Sequence, residues 1–370
     1  MKDMKKFIAV VLVLCASLVA SRAASGPGAS SVYVEGGSHH VQGISYDAAK
    51  DCMYFSFTTT FVKTDMSGKV LGSIDRIQGH LGAMVFDQSR RKVYASLECK
   101  DDVIGTGLSD FAKGRSMFYI AIIDVDKVDK VGMDSENNEA FKIVCVKDAT
   151  ADYHAKVTGG DGSVMDHRYG CSGIDGVAIA PRLGKKGGKD FLYVAYGIYK
   201  DLDRSDNDCQ VLLRYDLKSL DRYAGLVRFG EFYDKGPSKP KEKYFVYTGN
   251  TNWGVQNMAY DPVLRKMFLF VYKGSKPSFP NYDAFVFDVA SKPVRRLVDG
   301  VGYDTAKHPM VGTKDNPVPG VRFKYGSTGA APLGGGLFFL SENGRDPKTG
   351  VQNCNARLYQ WDGNGFKPAS

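Results

Sequence analysis

Two histidines stand at matched places in this chain. His40 and His80 each lie seven residues before an aspartate, Asp47 and Asp87, that ends a short apolar run. Aligning further copies of that run on Ala180 and Asp261 puts Gln42, Asp175 and Gln256 at one equivalent position. His40, His80 and Asp175 are a donor set for one divalent cation, a transition metal or, with backbone oxygens, calcium. The same groups could instead hydrogen-bond one another and trapped water. Glu98 and Glu342 break two otherwise neutral runs at a second matched position, shared with Thr58, Gly197 and Tyr272. A pair of carboxyls at a pocket edge is what glycoside hydrolysis requires, one as acid and one as base or nucleophile. Glu98, Asp175 and Glu342 are therefore the catalytic candidates. The competing reading pairs each Glu with a cation on the rim, Lys100 or Arg345.

Arg168, inside the stretch Asp166 to Gly176, is suited to grip a carboxylate or phosphate, although the glycines there also read as a tight turn. Trp253, Gln256, Asn257 and Tyr272 combine aromatic faces with amide groups, which suits sugar rings with apolar C–H faces and polar hydroxyls. Tyr196 and Tyr272, taken singly, read equally well as core. The acidic run Asp201 to Asp208 has the alternation of a calcium loop, without the Gly and Glu that an EF-hand needs. The chain has no GxSxG elbow, Walker loop, HExxH or dinucleotide fingerprint, so no nucleotide cofactor is expected and serine hydrolase and NTPase chemistry is disfavoured.

The elements that must position these groups are strands. A two-strand signature recurs five times, its first half being Met53–Thr58, Val93–Glu98, Leu192–Gly197, Met267–Tyr272 and Leu337–Glu342. A second run then ends in Asp65, Asp124, Asp216, Asp288 or Asp362. Repeated strand triplets separated by turn residues predict an all-β fold, a five-bladed β-propeller, with blades near 40–75, 80–148, 171–232, 252–299 and 327–370. Ser31–Val34 is expected to pair with the last blade and seal the ring. Residues 300–326, rich in Gly, Pro and Lys, read as a surface loop, and no helix of length is expected. Four blades carry a long connection after their second strand, so one composite site is expected on that loop face, over the propeller axis. On this strand pattern, including Gln42 to Asp47 and Lys63 to Asp65, the chain resembles secreted five-bladed β-propellers. That resemblance includes furanose-processing glycoside hydrolases, glutaminyl cyclotransferases and lectins, and it implies fold without fixing function.

Residues 1–23 read as a signal peptide: Lys2, Lys5 and Lys6, an apolar Phe7–Ala20, and a small-residue cleavage pattern ending at Ala23. Leu14 before Cys15 argues against a lipoprotein. The expectation is a secreted or periplasmic single domain over 24–370, with no membrane span. The formal charge of +8 falls once Lys2, Lys5, Lys6, Arg22 and Asp3 leave. The remaining excess is mild and its lysine clusters are short, so no nucleic-acid partner is expected. Six mature cysteines permit up to three disulfides or act as buried apolar residues. Together these readings predict an exported, monomeric, carbohydrate-active protein that binds a glycan or other small polar ligand, with glycoside hydrolase-like chemistry. A non-catalytic glycan- or protein-binding propeller and a metal-dependent lactonase or esterase are the alternatives.

Overall fold

Successive residues of one strand feed two different cores. In Asp190–Ile198, Leu192, Val194 and Tyr196 pack into one cluster, while Tyr193 and Ala195 pack into the next. Side chains alternate faces along a strand, so a sheet sandwiched between two others is apolar throughout rather than every second residue. That is why the signature runs are almost continuously hydrophobic. The computed structural model describes residues 26–37, 39–108, 113–298 and 302–370. The expected signal peptide, residues 1–23, therefore lies outside the described residues.

Five sheets form the blades of a β-propeller. Blade one comprises Gly43–Asp47, Cys52–Ser56, Phe61–Asp65 and Val70–Asp75, with Met133–Asp134 added in parallel. Blade two comprises His80–Asp87, Lys92–Cys99, Met117–Asp124 and Phe141–Cys145, extended by Gly225–Leu226. Blade three runs from Cys171–Pro181 through Asp190–Ile198 and Cys209–Tyr215 to Glu242–Tyr247, and continues through His308–Val311 and Val294–Arg296. Blade four comprises Thr251–Asp261, Lys266–Lys273, Ala284–Asp288 and Gly320–Val321. Blade five comprises Ala330–Gly334, Leu337–Arg345 and Gln352–Trp361. Each adjacent pair of blades encloses its own hydrophobic cluster, including the pair of blades five and one, so the ring closes on itself.

The ring is sealed by both ends of the chain. Ser31–Glu35 pairs antiparallel with Asn353–Arg357, and Phe366–Pro368 pairs with Tyr359–Trp361 on the same edge. The outer strand of blade five is thus assembled from two segments, which removes the exposed edge.

The repeated aspartates cap turns. Asp47 Oδ1 accepts from the N–H groups of Ala49 (3.1 Å) and Lys50 (3.2 Å). Asp87 accepts from Ser89 and Arg90, and Asp261 accepts from Val263 and Leu264. Four residues after each of these, Asp51, Arg91 and Arg265 take φ near +50° and reverse the chain. The aspartates that end the third strands do the same: Asp65, Asp124, Asp216, Asp288 and Asp362 each accept from a backbone N–H two or three residues on. An aspartate side chain that mimics a backbone turn explains the period without any chemistry.

Two expectations are corrected. Blade three does not end near 232, because its fourth strand is Glu242–Tyr247. The stretch 300–326 is not simply a loop: His308–Val311 and Gly320–Val321 extend blades three and four. Both strands are short and flanked by Pro or Gly, too brief for periodicity to show. The helices are short, as expected, at Val103–Leu108, Lys147–His154 and Leu217–Tyr223. No helix among the described residues is long and apolar enough to cross a membrane. Cys52, Cys99, Cys145, Cys171 and Cys354 are free thiols, and with Cys209 all are buried, so they serve as small apolar residues rather than staples.

Candidate functional site

The inner strands are where regular pairing fails. Register shifts fall between Leu81 and Met84 in blade two, between Ile174 and Val177 in blade three, and between Asn252 and Val255 in blade four. A β-bulge turns a side chain out of the ladder and re-aims it, and bulges recur beside active sites. Asp175 sits in the second of these bulges. Trp253 sits in the third at φ 66°, followed by Gly254 at φ 72°. A Cβ on Gly254 would lie 2.4 Å from the Tyr196 carbonyl oxygen, so the close approach of blades three and four there requires glycine.

These bulges surround a cavity of about 260 Å³. Its wall includes His40, Gln42, His80, Glu98, Lys100, Asp102, Asp175, Trp253, Gln256 and Tyr272. Thus the first strands of blades one to four and the second-strand ends of blades one, two and four contribute to one space. Glu98, Lys100 and Asp102 share parity at the end of Lys92–Cys99 and its exit, so all three can face the same way.

The electrostatics are dominated by the buried Glu98 carboxyl, the half-buried Asp175 carboxyl and one ammonium. Glu98 Oε1 accepts from the Ile174 N–H at 2.9 Å, and Glu98 Oε2 lies 3.8 Å from Lys100 Nζ. Lys100 also lies 3.4 Å from Asp102. Asp175 Oδ2 accepts from Gln256 Nε2 at 3.0 Å, and the same amide group donates to the Trp253 carbonyl at 2.9 Å. Burial raises the Glu98 carboxyl, with Lys100 and the Ile174 N–H opposing it. Burial raises Asp175 well above the usual carboxylate range, and the neighbouring Glu98 adds to it. Burial by itself would lower Lys100, but Glu98, Tyr199, Asp102 and Asp175 outweigh it and hold the ammonium charged. Glu98 and Asp102 both face the Lys100 ammonium directly, whereas Asp175 does not, so of the two raised carboxyls Asp175 is the more strongly biased toward its protonated form. The Lys100 ammonium also lies 5.8 Å from the Trp253 ring centroid and 5.9 Å from that of Tyr199.

The histidines are neutral. Gln42 Nε2 donates to His40 Nε2 at 2.6 Å, which leaves the ring proton on Nδ1, and burial followed by His39 lowers its pKa. Burial, then His40 and Lys100, lower His80 to about 4. His80 Nε2 is buried and has no hydrogen-bond partner among the described residues. Such an atom costs about 1–3 kcal/mol unless a ligand or water meets it.

Several candidates part company here. Glu342 does not line the cavity: its carboxylate accepts from Tyr359 Oη at 2.6 Å and lies 3.9 Å from Arg357. The expected Glu98–Glu342 pair is therefore corrected to Glu98–Asp175. Strand position alone could not separate these: both end a second strand, and only the closed ring brings Glu98 into the cavity wall with Asp175 and sets Glu342 against Tyr359 and Arg357. Asn257 is buried outside the cavity wall, where Nδ2 donates to the carbonyls of Gln42 (2.8 Å) and Ser327 (2.9 Å) and ties blade four to blades one and five. Arg168 lies in a second cavity of about 790 Å³ with Lys156, Lys243, Asp304 and His308, and pairs with Asp152 at 3.3 Å.

The cation site is also corrected. His40, His80 and Asp175 line one cavity, yet among the described residues no three His, Cys, Asp or Glu groups converge to hold a metal. His40 Nε2 and Asp175 Oδ2 are already taken by Gln42 and Gln256. The acidic run Asp201–Asp208 binds an internal cation instead. Lys276 Nζ donates to Asp208 Oδ1 (2.6 Å), Asn207 Oδ1 (2.9 Å) and the Arg204 carbonyl.

Lys100, expected as a rim cation, and Asp102, which no spacing singled out, are central. The alternation Glu98-Cys99-Lys100-Asp101-Asp102 was the available signal. No family model and no curated protein matches the chain. Among solved structures, it is similar to a PQQ-bound aldose sugar dehydrogenase from Streptomyces coelicolor, at 12% identity and a TM-score of 0.33, over 90% of this chain and 100% of that one. It is also similar to the Cps50 (Swd1) β-propeller domain of Myceliophteria thermophila, at 9% identity and a TM-score of 0.31, over 88% of this chain and 99% of that one.

Proposed function

We propose that this propeller is an exported glycoside-cleaving enzyme that takes one sugar residue into the cavity over its axis. The observation that carries the reading is the presence of buried Glu98 and half-buried Asp175 in the wall of one cavity beside the Lys100 ammonium. That arrangement supports a division of labour. Asp175, whose protonated form burial and then Glu98 favour, is the general acid toward the leaving oxygen. Glu98, beside Lys100 and the Ile174 N–H, is the partner carboxylate that acts on water or on the anomeric carbon. Trp253 supplies an apolar face for the sugar, and Gln42, Gln256 and the unpartnered His80 Nε2 supply hydrogen bonds to its hydroxyls.

The test is a screen of 4-nitrophenyl monoglycosides, followed by Glu98→Gln and Asp175→Asn on whichever is cleaved. Each substitution is expected to lower kcat by about 10²–10⁴-fold while the thermal melt stays cooperative. Activity should also fall on the alkaline side as Asp175 loses its proton. Unchanged kcat in both variants refutes the assignment. Sugar binding without any turnover in the wild type would favour the binding-propeller reading.

A further inference from the structure

On the reading that the cavity takes a sugar, we infer that its mouth is a subsite for an apolar aglycone, so that the substrate class is glycosides carrying an alkyl or aryl group. The segment Val103–Leu108 (VIGTGL) has two glycines and no charge, a poor helix former by itself. It is a helix because Asp102 holds it: Asp102 Oδ1 accepts from the Gly105 N–H at 2.7 Å, and its carbonyl accepts from Thr106 Oγ1 at 2.6 Å. Gly105 packs so tightly on the strand exit that a Cβ there would lie 2.0 Å from the Lys100 carbonyl oxygen. The helix is thus fastened to the residues that hold the buried ammonium.

Its apolar side chains join none of the five core clusters among the described residues. Val103 is 91% exposed and Ile104 60% exposed. Ile104 and Leu108 line the same cavity as Glu98 and Asp175, and Trp253, 36% exposed, completes the mouth. Single exposed apolar residues are ordinary, but Ile104, Leu108 and Trp253 are grouped on the wall of one cavity, and that continuity makes them a contact for part of the same ligand. The cavity is polar in its depth and apolar at its lip. A molecule with hydroxyls at one end and hydrocarbon at the other matches both zones, and a free oligosaccharide matches only the first.

The test is calorimetric binding of n-alkyl glucosides from methyl to hexyl, with the matching n-alkanols as a sugar-free series. Affinity is expected to rise roughly fourfold per methylene, the ratio corresponding to ~0.8 kcal/mol per buried CH₂. Ile104→Ser with Leu108→Ser should flatten that slope to less than about twofold. Because the wild-type slope is read first, the inference does not depend on the variant folding. A flat slope with measurable sugar binding overturns the aglycone subsite and leaves the sugar reading standing. A slope equally steep in the alkanols, with no gain from the sugar, supports the apolar lip and overturns the sugar reading. Absence of binding by every probe overturns both.

Discussion

Lys276 offers a quantitative test of the architecture, independent of any activity. Its ammonium holds the acidic loop of blade three against blade four, with side-chain exposures of 6% for Lys276 and 17% for Asp208. Burial raises the Asp208 carboxyl, and the Lys276 hydrogen bond opposes that rise. Replacing Lys276 by Met keeps the aliphatic bulk and removes the charge, leaving Asp208, Asn207 Oδ1 and a carbonyl without their donor. Breaking a buried pair by removing one partner costs about 3–5 kcal/mol. For 370 residues, an unfolding entropy of about 2.1 cal/mol/K per residue amounts to about 0.8 kcal/mol/K, so Tm should fall by about 4–6 °C. Adding Asp208→Asn should recover part of the loss, because removing both charges is less costly than orphaning one. A thermal-melt double-mutant cycle should yield a coupling above about 1 kcal/mol. Calcium should leave the wild-type melt unchanged, since the ammonium already occupies the oxygen donors. A Lys276→Met melt within about 1 °C of wild type, or strict additivity in the cycle, would refute this account of the loop.

Two further outcomes are expected. His80 has a folded pKa of about 4 against an ordinary 6.5. The unfolded chain therefore binds the proton first, and stability should fall as pH drops from about 6.5 toward 4, by about 3 kcal/mol in all. Ring-carbon NMR titration of His80 near 6.5 would contradict its burial. Deleting residues 26–35 removes the strand that pairs with Asn353–Arg357 and exposes a flat edge. A lower melting temperature and concentration-dependent association should follow, and an unchanged melt would show that the ring does not need that seal.

What the sequence by itself determined is the propeller. Five near-continuous apolar runs, each closed by a turn-capping aspartate, specify strands buried on both faces. That signal is local: an Asp side chain satisfying the next N–H groups, then a residue at positive φ, can be read within six positions. Matched spacing also placed His40, His80, Asp175, Gln256, Glu98 and Tyr272 at the axial ends of their strands, and all of them line the one cavity. The tertiary structure decided the rest. Glu98 and Glu342 occupy equivalent positions, yet one faces the cavity and the other meets Tyr359, because each carboxyl's partners come from strands distant in sequence. Short strands such as Gly320–Val321 exist through pairing with a distant edge and carry no period of their own. The balance of two carboxyls against the Lys100 ammonium likewise follows from burial, which sequence spacing does not report. Local hydrogen bonding and alternation are written along the chain, whereas dielectric, bulge direction and the identity of a distant partner arise only when five blades close on one another.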